Sequence, residues 1–162
     1  MDEHHTQAYG GAGLSAAFDI VPRPDWASTT IVAIPHDATG DAAAWARAIF
    51  DLRSLPVWVK ALGGVRAVVA KLLRLPPGEQ AMLAVDRIVG DEAVIDTDDV
   101  HLHFAASVRV DPAAGLLYVT TAVALKGWRG RVYFMPVRFL HDAVTRSMIE
   151  NAVSRMNDHA AA

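Results

Sequence analysis

The sequence predicts an α+β fold: one antiparallel sheet packed against a long C-terminal helix, with short helices after the first strand. Three observations carry this expectation. Residues 79–136 read as a meander of short apolar strands separated by turn sequences. None of the connections there is long enough to hold a crossover helix, so neighbouring strands should pair antiparallel. Residues 137–156 then change period, with Val137, Leu140, Val144, Met148 and Ala152 spaced at three and four, the mark of a helix with one apolar face.

Along the chain, residues 1–15 resemble a loose tail, and one domain is expected over 16–157. The β-branched run Thr29-Thr30-Ile31-Val32 predicts a strand within Ser28–Pro35. Thr39 or Asp41 can cap a helix over Ala42–Arg53, with Trp45, Ile49 and Phe50 on one face. Pro56 breaks that helix and can open the next. Two short helices are expected at Val57–Leu62 and Val65–Leu75, joined at Gly63-Gly64, and Pro76-Pro77-Gly78 ends them. AMLAVDRIV, EAVIDT, HLHFAASVRV, LLYVTTAVALK and a short RVYFMP then read as strands, with turns at Gly90-Asp91, DDV, DPAAG and GWRG.

Composition narrows the class. The chain has 162 residues, enough for one domain with its own core. Its apolar content of 52% excludes general disorder. It has no cysteine, which excludes disulfides, thiolate catalysis and cysteine-held zinc or iron–sulfur groups, and fits a cytoplasmic protein. The opening MDEHHTQAYGGAGLSAAF does not read as a secretory signal, and no membrane span is expected, since no apolar run is long enough. The net charge of −3 argues against a nucleic-acid partner. Arg53, Lys60, Arg66, Lys71 and Arg74 make a basic stretch without acids, and Asp86 to Asp99 is mostly acidic. Two solvated faces are the plain reading, and no stable membrane association is expected.

The stretch DDVHLHFAASVRV, residues 98–110, carries the most chemistry. On a strand, Leu102, Phe104, Ala106, Val108 and Val110 share one face, and His101, His103, Ala105, Ser107 and Arg109 share the other. The partner strand divides likewise, with Leu117, Val119, Thr121, Val123 and Leu125 on its apolar side. The apolar faces should lie against the C-terminal helix, which turns the histidines away from the core. Asp99, His101 and His103 together offer ligands that zinc or a similar ion accepts. A solvated strand entrance is the competing reading, and no further ligand is placed by local spacing. The small residues Ala105, Ser107, Ala122 and Ala124 make a flat outer face, which predicts a homodimer through that face.

AAFDIVP (Ala16–Pro22), Trp45–Leu73, DDVHLHFAASVRV and GRVYFMPVRFLH (Gly130–His141) resemble stretches of a bacterial family, domain of unknown function 2867. That family is similar to the START-like, or Bet v 1-like, SRPBCC superfamily with its helix-grip fold, a curved antiparallel sheet wrapped around a long C-terminal helix. The resemblance covers most of the chain. Two departures matter: His103 stands where the family has an acid, and Leu140 separates Phe139 from His141 where the family has a Phe-His pair. The first weakens a metal site, and the second leaves the alignment of His141 open. Family members also occur joined to epimerase-like or reductase-like domains. Here GGAG at 10–13 follows no strand, so no dinucleotide or other cofactor is expected.

The resemblance implies a cavity between sheet and helix, lined by Leu102, Phe104, Ala106, Val108, Val119, Thr121, Val123, Val144 and Met148, with Trp58 or Phe50 at its mouth. A small apolar ligand is the expected partner, and Thr121, Tyr133 and His141 are candidate polar anchors. The alternative is a cyclase- or dehydratase-like enzyme using a pocket histidine. His141, read as lying in the first turn of the last helix, is its candidate acid–base group, with Tyr133 beside it, and the helix N-terminus would keep its imidazole neutral. No nucleophile motif supports this. A filled core, leaving an interaction domain, is the third reading.

Overall fold

The computed structural model describes residues 15–51 and 85–160. In chain order these form α1 (Ala16–Ile20), β1 (Trp26–Ala33), α2 (Ala42–Phe50), β2 (Arg87–Val89), β3 (Glu92–Asp98), β4 (Leu102–Asp111), β5 (Leu116–Leu125) and α3 (Gly127–Ala160). The five strands make one antiparallel sheet in the order β1-β5-β4-β3-β2. A curved antiparallel sheet with a long C-terminal helix on one face is a helix-grip-like α+β architecture. The expected helices at Val57–Leu62 and Val65–Leu75 lie outside the described residues.

Local chemistry explains the elements. Asp41, not Thr39, caps α2, its carboxylate accepting from the amides of Ala43 (2.9 Å) and Ala44 (3.1 Å). In the β4–β5 turn, Asp111 Oδ1 accepts from the Ala114 amide at 2.9 Å, and Gly115 takes φ +64°, a conformation side chains disfavour.

The register fixes the faces. Val108 pairs with Val119, Ala106 with Thr121 and Phe104 with Val123, and β1 adds Thr30 beside Val119 and Trp26 beside Val123. This face packs on α2 and α3. Trp45 and Ile49 of α2 and Ile149 and Ala152 of α3 are fully buried there with Val108, Leu117 and Val119. Trp45 Nε1 donates to the Thr39 carbonyl at 2.8 Å, so the indole brings its own hydrogen bond into the core.

Two expectations need correction. RVYFMP is not a strand: it lies inside α3, which starts at Gly127 and runs 34 residues. The β-branched and aromatic residues and Pro136 suggested a break before the helix. The helix nevertheless continues through Pro136. Proline leaves the Val132 carbonyl without its intrahelical donor, and both residues are exposed, so water can serve that group. The second concerns Ser15, expected at the end of a loose tail, which instead begins a helix. Ser15 caps α1, and Ala16 and Ala17 are buried.

Candidate functional site

The helix α1 decides where the site lies. It sits on the sheet face opposite α3, its Ala17 and the following Val21 buried against Ala105 and Ala122. Small residues on both sides allow this close approach. The flat face that the sequence offered to a second subunit is therefore covered by the chain's own N-terminal helix: Ala105 and Ala122 are fully buried before any partner arrives.

Polar contacts tie α1 to the sheet. Ser15 Oγ donates to Glu92 Oε2 at 2.8 Å and also meets Ser107 Oγ. The Ala16 amide donates to the same Glu92 oxygen at 2.9 Å. Glu92 thus serves amide and hydroxyl donors at the start of α1, where a negative charge is favoured.

Beside this anchor is a pocket of about 220 Å³ lined by Ser15, Phe18, Thr29, Glu92, Ser107, Arg109, Tyr118 and Thr120. Its floor is two neighbouring cross-strand rows. Glu92 pairs with Arg109, Arg109 with Tyr118, Ser107 with Thr120, and Thr120 with Thr29, whose hydroxyls are 3.1 Å apart. The Arg109 guanidinium lies 4.5 Å from the centroid of the Tyr118 ring. Among the described residues it has no hydrogen-bond or ion-pair partner. Glu92, its neighbour across the strands, is turned toward α1 instead. A half-buried guanidinium stacked on an aromatic ring, its N–H donors unmet by the described residues, is suited to a carboxylate or phosphate.

Of the residues expected to line a cavity under α3, the described ones are on that face, but several are packed solid. Val108, Val119 and Met148 belong to the buried cluster with Trp45 and Ile49. Ala106, Thr121 and Val123 are buried as well, whereas Leu102, Phe104 and Val144 are only half-buried. Trp58 lies outside the described residues, as does the side chain of Tyr133.

His141 is half-buried, and its ring meets Trp26 edge-on with centroids 4.6 Å apart. Its Nδ1 is 3.4 Å from Thr145 Oγ1 and 3.6 Å from Asp142 Oδ1. Its pKa is held below the ordinary value by burial, with Asp142 opposing the shift. The neutral imidazole expected from the sequence is favoured, but for a different reason: α3 begins at Gly127, so His141 is several turns from the helix N-terminus and its dipole.

The putting-together of Asp99, His101 and His103 does not occur. His103 Nε2 is 2.9 Å from Asp96 Oδ1, and Asp99 Oδ1 accepts from the Val100 amide at 2.5 Å. Among the described residues no three His, Cys, Asp or Glu side chains are grouped to hold a metal ion.

Period-two alternation placed Ser107 and Arg109 on the outer face, yet the pocket itself was not read from the sequence. Ser15 before Ala16-Ala17, with Asp19 in the first turn, was the available signal for a capped helix. Nothing local shows that this helix returns to β3 and β4.

Fold and site together define a helix-grip-like α+β domain with a polar pocket on its outer sheet face. The chain belongs to the family described as Protein of unknown function (DUF2867), whose model matches residues 20–148. No curated protein and no solved structure matches it. No described helix is long and apolar enough to cross a membrane.

Proposed function

We propose that this domain is a small-molecule-binding module whose site is the pocket under α1, and that its ligand carries a carboxylate or phosphate. The observation behind this reading is Arg109. Its guanidinium is half-buried, stacked on Tyr118 and, among the described residues, without a hydrogen-bond or ion-pair partner beside the hydroxyls of Ser107 and Thr120. Leaving a cation's donors unmet is costly unless water or a ligand serves them. The volume of about 220 Å³ suits a compact acid rather than a lipid.

The test is a thermal-shift titration of the full chain with acetate, succinate, glycerol phosphate and inorganic phosphate, repeated with Arg109→Gln. A ligand at about 100 times its Kd should stabilise the fold by about 2.7 kcal/mol, and that gain should vanish in the variant. A wild-type melt that none of the four shifts, or equal shifts in Arg109→Gln, removes the proposal.

A second reading keeps the apolar ligand expected under α3 and places the chain in the START-like superfamily. The row Thr97–Phe104–Val123–Trp26 crosses the sheet toward His141, and Leu102 and Phe104 are incompletely buried. A neutral histidine at the end of an apolar row could serve as the acid–base group of a cyclase or dehydratase. Co-purification of an apolar molecule, lost in His141→Phe, supports this reading. Retention of the molecule with unchanged affinity in that variant counts against His141 as its anchor.

A further inference from the structure

The first part of α3 has two apolar faces. Gly130, Phe134 and His141 point to the sheet, where Phe134 meets Trp26 with ring centroids 5.3 Å apart. On the opposite side, Trp128, Val132, Met135 and Phe139 recur at four, three and four residues, so they form one stripe. These large side chains are 64%, 47%, 57% and 72% exposed. A stripe of this length, about 16 Å from end to end, exceeds what scattered surface residues produce.

The flanks are cationic. Between Lys126 and His141 there is no acid, while Arg129, Arg131 and Arg138 border the stripe. At 100° per residue, Arg131 and Arg138 fall on one side of it and Arg129 on the other. Arg129 lies 5.6 Å from the Trp128 ring centroid and Arg138 4.7 Å from that of Phe139. Guanidinium groups thus accompany an aromatic ring at each end of the stripe.

We propose that this face of α3 docks on an anionic membrane surface, with Trp128, Val132, Met135 and Phe139 entering the headgroup boundary and the arginines meeting lipid phosphates. Charge selects this occupant over a second copy. A twofold contact would set the same cations against themselves, whereas an anionic surface complements them. An aromatic-apolar stripe between basic flanks is the pattern of a helix lying in the membrane interface. The association is peripheral, and salt weakens it by screening.

The experiment is co-sedimentation of the full chain with vesicles of phosphatidylcholine alone or mixed equally with phosphatidylglycerol, at low and high salt. Pelleting with the mixed vesicles at low salt only is expected. The triple variant Arg129→Gln, Arg131→Gln, Arg138→Gln should lower the partition coefficient on the order of a hundredfold. Trp128→Ser with Phe139→Ser should abolish pelleting. All five positions are exposed, and an unchanged melting temperature confirms that each variant is folded. No pelleting at low salt overturns the proposal, as does equal binding to both vesicle types without a salt effect. A concentration-dependent dimer that the double serine variant dissolves, without vesicle binding, gives the stripe to a second copy and overturns it too.

Discussion

Ser15 Oγ donates a 2.8 Å hydrogen bond to Glu92 Oε2 across 77 residues of sequence. That bond, with the Ala16 amide on the same oxygen, fixes the start of α1 to the sheet and forms one wall of the pocket. Glu92→Ala removes the acceptor for both donors. The expected cost is about 1.5–3 kcal/mol, the range for hydrogen bonds to a charged group. Urea denaturation measures it. Hydrogen exchange should also show the amides of Phe18 and Val21 losing protection before the strands do.

His141 should make stability depend on pH. Burial lowers its folded pKa, so below the unfolded value of about 6.5 the unfolded chain binds more protons than the folded one. The stability from this group is complete above that value. It is lost progressively as pH falls toward the folded pKa. An NMR titration should place the His141 ring below the ordinary histidine value, and His141→Phe should flatten the decline in stability below pH 6.5. A ring titrating at or above the ordinary value contradicts the burial argument.

Gly130 sits where α3 crosses the backbone of His101. A Cβ there would collide with the His101 carbonyl oxygen, a backbone atom that cannot rotate away. Alanine would gain roughly 1 kcal/mol of helix propensity. The collision outweighs this, because relief requires moving the helix off the sheet, an overpacking cost of about 1–3 kcal/mol or more. Gly130→Ala should therefore lower the denaturation midpoint. A raised midpoint would show that α3 has room to shift.

Trp45 tests the core under α2. Its indole is fully buried and donates to the Thr39 carbonyl. Trp45→Ala should cost about 3–5 kcal/mol. Trp45→Phe, which keeps a ring but leaves that carbonyl without its donor, should cost less. Chemical denaturation of the two variants gives the order, and equal losses would mean that the hydrogen bond, not ring volume, dominates.

The sequence by itself located the five strands, while adding a false sixth at RVYFMP, and determined the antiparallel pairing of β2 to β5 and the two faces of β4 and β5, because alternation is a local property and a one-residue slip would bury the wrong side. The same parity put His103, Ser107 and Arg109 on the outer face and Val108 and Val119 in the core. The α2 cap was narrowed to Thr39 or Asp41, and the turn at residues 111–115 was legible, for the same reason: each depends on a few neighbouring residues. Only the tertiary structure decided what covers the outer face. The contacts that bring α1 there join Ser15 to residues 77 and 92 positions away, and no local pattern encodes such a distance. Packing also decided the course of α3 through Pro136: Gly130 lets the helix pass close to the His101 backbone, and Phe134 packs on Trp26. His141 follows from that. Its neutrality comes from burial among residues far apart in sequence, not from its place along its own helix.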